Sequence, residues 1–246
     1  MSETPNSAAS GDAQSGRKED ESIVRGLLVW ALVFALFAGA VAAGVAESTQ
    51  GRFLAEFVPP AGFDALGAYE QNDVRSRMMR EATALAETRN AMLAYGALGG
   101  ILGCALGLAG GLARGSPRSG LAAGVAGAIL GVLAAAGGAA AAGWLFFRLA
   151  AEDTGIVPPL SAHLMTMAAL GAGAGLALGI GRGGGKGALA LGLMGGVFGG
   201  LAGAFLYEII FSTLDPLMRN EAPVPPTRQA RVALQLIAAA GVALLA

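Results

Sequence analysis

The chain reads as an all-α membrane protein of about six transmembrane helices, and composition, segment length and an internal repeat each point that way. Apolar residues make up 54% of the 246 and charged residues 13%. The 40 glycines far exceed the usual share of about 7%. Crossing a hydrocarbon core of about 30 Å takes roughly 20 apolar residues in a helix. Apolar runs of about that length predict helices over 26–46, 91–113, 120–147, 161–181, 187–211 and 231–246. The last is the shortest, so it is expected either to span by thinning the bilayer or to lie tilted at an interface.

The third observation is that residues 103–136 lie over residues 171–204 at a fixed offset of 68 without a gap. Fifteen of the 34 positions are identical, which predicts a duplicated hairpin rather than shared composition alone. Gly103, Gly107, Gly111, Arg114, Gly124, Gly127 and Gly131 fall on Gly171, Gly175, Gly179, Arg182, Gly192, Gly195 and Gly199, and Arg118 falls on Lys186. Both copies contain two helices, 2–3 and 4–5, so they enter the membrane from the same side. They are expected as parallel repeats about an axis along the membrane normal.

In order, residues 1–22 are polar and lack apolar periodicity, which predicts a disordered cytoplasmic tail. Residues 23–46 form the first transmembrane helix. Its apolar run exceeds the 7–15 residues of a signal-peptide core, so it is expected as an uncleaved anchor. Residues 47–90 form an extracytoplasmic loop. Pro59 and Pro60 break it, and an amphipathic helix follows from Asn72 or Asp73 with Val74, Met78, Ala82 and Leu85 on one stripe. Asp73 with Arg77 and Arg77 with Glu81 stand four apart as opposite charges, and the helix is expected to run on into the second span.

The first glycine-rich hairpin covers 91–147, an external loop 148–160, the second hairpin 161–211, an external proline-rich loop 212–230, and a short C-terminal apolar helix 231–246. Gly99, Gly103, Gly107 and Gly111 stand four apart on the second helix. Gly171, Gly175 and Gly179 do so on the fourth, and Gly192, Gly196 and Gly200 on the fifth. A second row on the fifth, Gly195, Gly199 and Gly203, predicts a second close neighbour. In lipid, helices associate through van der Waals contact, and small residues at this spacing let backbones approach. The rows resemble glycine-zipper membrane modules over helices two to five, a likeness that implies packing and transfers no activity.

Orientation follows from basic residues near helix ends. Arg17, Lys18 and Arg25 precede the first helix, Arg114 and Arg118 occupy one short turn, and Arg182 and Lys186 the other. All lie on one face, which places the N-terminus in the cytoplasm. Arg52, Arg75, Arg77, Arg80 and Arg89 lie opposite, but in a long loop that obeys the rule less strictly. The composition suits a bacterial inner membrane.

Catalytic motifs fail on inspection. Gly179, Gly181 and Gly184 satisfy GxGxxG, yet no strand precedes them. GRGGGKG lacks the first glycine of a phosphate loop, because position 180 is Ile180, and Gly187 follows Lys186 where Ser or Thr is needed. One histidine and one cysteine leave a zinc site to scattered carboxylates. No cofactor, metal or nucleic-acid partner is expected; the partners are the lipid bilayer and a second copy or another membrane protein.

The remaining chemistry is a polar set at the outer boundary: Arg148, His163, Glu208 and Arg231, with Thr166, Tyr207 and Gln235 nearby in sequence. Ionisable groups inside a span can mark an ion or proton route. Counted from Gly184, His163 lies 21 residues back and Glu208 24 on, about 4.5 Å apart in height along straight helices. They are therefore expected to meet. The sequence favours a non-enzymatic packing or assembly component of the membrane, and the alternative is a small channel or transporter with its route between the hairpins.

Overall fold

A computed structural model describes residues 8–49, 51–149, 157–214, 225 and 227–246. It contains six long helices: α1 (Ala8–Thr49), α2 (Ala68–Ala113), α3 (Pro117–Leu149), α4 (Val157–Gly181), α5 (Lys186–Leu214) and α6 (Arg228–Leu245). All six are long and apolar enough to cross a membrane. Most of the two external loops expected at 148–160 and 212–230 lies outside the described residues, as do residues 1–7.

Several helices start earlier than expected. The α1 backbone is helical from Ala8, so no break marks the tail boundary expected near residue 23. α4 takes Pro158 and Pro159 into its first turn, where a missing N–H removes no intrahelical bond. α6 starts at Arg228 because the Thr227 hydroxyl accepts the Ala230 N–H at 3.3 Å.

α2 is a single helix of 46 residues. At 1.5 Å per residue, the part from Ala68 to Asn90 projects about 35 Å beyond the span expected at 91–113. Its first turn is held by the Gly67 N–H, which donates to Glu70 Oε2 at 3.2 Å. Val74, Met78 and Ala82 are half-buried, while Leu85 is exposed. The expected pairs Asp73–Arg77 and Arg77–Glu81 do not close; exposed helix pairs gain only a few tenths of a kcal/mol, too little to hold two solvated side chains together.

The two short turns are built alike. After α2, the Ser116 N–H donates to Gly111 O at 3.0 Å and the Gly115 N–H to Leu112 O at 2.8 Å; after α4, Gly184 donates to Gly179 at 3.1 Å and Gly183 to Ile180 at 2.9 Å. This cap needs a left-handed residue just past the helix. Gly115 and Gly183 supply it with φ of 67° and 115°.

Each outer helix lies between two inner ones. α1 packs on α2 and α6, α3 on α2 and α4, and α5 on α4 and α6. Inner spans α2, α4 and α6 are the more buried, and α1, α3 and α5 the less. Neighbours around the ring run antiparallel, so the inner helices share one direction and the outer helices the other. Tyr95, Leu98, Leu102 and Leu106 of α2, Met167, Leu170 and Leu178 of α4, and Leu234 and Val242 of α6 join one core. The outer helices turn Val33, Phe37, Leu121, Ile129, Leu133, Leu191, Phe198 and Phe205 outward. Large apolar groups outside and glycine at the contacts suit a lipid surround.

The glycines mark where backbones touch. A Cβ on Gly103 would enter the Gly127 carbonyl, on Gly107 that of Ala123, and on Gly99 that of Gly131. Gly171 and Gly175 stand likewise against Gly196 and Gly192, and Gly200 against Met167. On Gly179 the added atom would lie 2.7 Å from Ala188 O. The other α5 row faces α6: Gly195 meets Leu245, Gly199 meets Gly241 and Gly203 meets Ala238.

Candidate functional site

The loop end of the bundle, opposite the two short turns, gathers most of the polar set. α4 presents His163 six residues after its start, and α5 presents Glu208 six residues before its end, about 9 Å in along each axis. The short turn makes α4 and α5 antiparallel neighbours, which brings the two side chains to one level. His163 Nδ1 and Glu208 Oε1 form a hydrogen-bonded pair. His163 is 0% exposed and Glu208 6%. The ring of Tyr207 meets the imidazole edge-on, with centroids 5.7 Å apart, and Thr166 is buried one turn further along α4. The other imidazole nitrogen, Nε2, is buried without a protein hydrogen-bond partner.

Arg231 belongs to a second pair that sequence reasoning missed. Its Nε donates to Glu47 Oε1 at 2.8 Å and its Nη2 to Glu47 Oε2 at 3.1 Å, a two-pronged contact between the start of α6 and the end of α1. Nη1 donates to Pro225 O at 3.0 Å. Such forked, charge-assisted contacts fix geometry as well as energy. Gln235, four residues on, is buried, and its Oε1 has no protein partner. Tyr95 of α2 is buried within electrostatic reach of Tyr207, Glu208 and Arg231, which ties the two pairs into one neighbourhood.

Arg148 does not join them. It is exposed at the end of α3, 4.4 Å over the ring of Trp144, as an aromatic and a cation stack at a membrane boundary. The residues that sequence reading overlooked, Glu47 and Tyr95, gave weak signals. Glu47 stands 184 residues from Arg231, and only the packing of α1 on α6 joins them. Tyr95 looks like any aromatic at the head of a span.

Chemically, the cluster offers a carboxylate–imidazole pair with a spare ring nitrogen beside a carboxylate–guanidinium pair. Among the described residues no three His, Cys, Asp or Glu side chains converge as metal ligands. Comparison with protein-family models, with curated proteins and with solved structures finds no match. The chain is a polytopic α-helical protein by its six apolar helices, and its function is read from the geometry.

Proposed function

We propose that this protein is a small ion- or proton-handling membrane protein of the channel or transporter class, non-enzymatic, with the His163–Glu208 pair as its working group. One observation carries the reading: an ionisable pair is buried inside a span with His163 Nε2 unpartnered. Burying such groups in a membrane is expensive, and where they occur they line ion or proton pathways more often than they serve packing. The sequence alone ranks assembly above transport; the burial of His163, Glu208 and Arg231 at one end of the bundle is our reason for putting transport first, with a route on the α4, α5 and α6 side as part of the proposal.

The same reading places the protein in a bacterial inner membrane with its N-terminus in the cytoplasm, supported by the basic residues at the turn end. It also takes helices 2–3 and 4–5 as a duplicated glycine-zipper module, supported by identical turn caps 68 residues apart. Purified protein in liposomes should carry protons or a small monovalent cation down an imposed gradient. Glu208→Gln and His163→Gln should abolish that flux while leaving the fold intact. Wild-type liposomes no leakier than empty ones to H+, Na+ and K+ would sink the transport reading.

A membrane-assembly role is the second reading, favoured by the part of α2 from Ala68 to Asn90 that projects beyond the span expected at 91–113. It gains if flux is absent and removal of residues 68–85 leaves a folded bundle that no longer assembles with a copurifying membrane protein.

A further inference from the structure

Beside α2, at the loop end, α1 and α3 flank the helix without a substantial interface of their own. The gap is a groove of about 510 Å³ with Gly96 and Ala97 as its floor, Val45 and Val132 as its walls, and Phe53 and Arg89 at its mouth. From Arg89 to Ala97 it descends about 12 Å along α2. Its interior is apolar. Its mouth is basic, and Arg89 has no acidic partner among the described residues.

The mouth is held in place by the chain itself. Asn90 donates from Nδ2 to Phe53 O at 2.9 Å and accepts the Phe53 N–H at 3.1 Å on Oδ1, clamping the loop to the helix as a strand partner would. The clamped Phe53 carries its ring under the Arg89 guanidinium, 5.7 Å from centroid to carbon. The cation is thus positioned two residues outside the span expected to begin at 91, at the depth where a bilayer holds its phosphates.

We infer that this groove is a binding site for one anionic phospholipid, with an acyl chain along Gly96 and Ala97 and the headgroup phosphate on Arg89. A planar guanidinium suits bidentate phosphate contact, and an apolar trench that opens sideways into lipid admits a chain without a gate. This site is separate from the His163–Glu208 pair and stands or falls independently of transport.

The test uses the full chain, delipidated in detergent and analysed by native mass spectrometry with phosphatidylglycerol or phosphatidylcholine of identical chains. Phosphatidylglycerol should be retained more strongly, and Arg89→Gln should lower its retention about fivefold relative to phosphatidylcholine. Ala97→Phe, which fills the floor, should reduce both lipids. Millimolar inorganic phosphate should not displace the bound lipid, because it lacks a chain; displacement would mean a simple anion site and overturn the proposal. Basic residues at the turn end also attract anionic lipid, so a photoactivatable phosphatidylglycerol supplies a measure that needs no variant. Labelling near Leu93 and Ala97 supports the groove. Labelling confined to the turn end, or an Arg89→Gln protein with unchanged lipid preference, overturns it.

Discussion

His163 and Glu208 are far more expensive to separate than to remove together. With one partner gone, the other stays buried and loses its hydrogen bond. Glu208→Leu alone should therefore destabilise the protein by about 2–4 kcal/mol. The double variant His163→Leu with Glu208→Leu should recover most of that loss, as read from denaturant unfolding in detergent. A double variant as unstable as the sum of the singles would mean the contact contributes nothing, because coupled neighbours give non-additive effects. At this scale the pairing of His163 with Glu208 was legible in sequence, since a short turn and a count of helical rise fix their relative height. The pairing of Arg231 with Glu47 was not, because no local rule links positions at opposite ends of the chain.

Among the helices, glycine sets which faces meet. The rows at Gly99 to Gly111 and Gly171 to Gly179 lie against the backbones of α3 and α5, where an added side chain has nowhere to go. Gly107→Leu or Gly175→Leu should lower stability by about 1–3 kcal/mol through overpacking, while Ala122→Leu, on the exposed face of α3, should have little effect. Comparable unfolding midpoints for the two kinds of variant would show that the rows reflect composition. Four-residue spacing was readable directly, and so was the double row on α5, which turns one face to α4 and the other to α6. The starts of α1 and α4 were misplaced for a common reason. Polar composition and proline both argue against helix locally, yet a helix already propagating adds residues cheaply, and proline is harmless in a first turn.

For the whole molecule, the turn end carries Arg114, Arg118, Arg182 and Lys186 on two short connections, and such residues set orientation when loops are short. Reporter fusions after Ser116 and after Gly184 should both read cytoplasmic, and one after Gly62 should read external. Opposite readings at the two turns would contradict the alternating helix directions themselves. The sequence by itself determined that six apolar helices exist, where their apolar spans lie, and which faces approach closely, because span length, hydropathy and glycine spacing act locally along the chain. Only the tertiary structure decided that the more buried α2, α4 and α6 alternate around one ring with the less buried α1, α3 and α5, that α6 closes the ring against α1, and that a groove opens between α1 and α3. Those outcomes depend on which apolar face meets which, and in a chain apolar on nearly every face the hydrophobic pattern no longer discriminates among partners. Backbone proximity and a few buried charges make that choice, and both come into being only when distant segments pack.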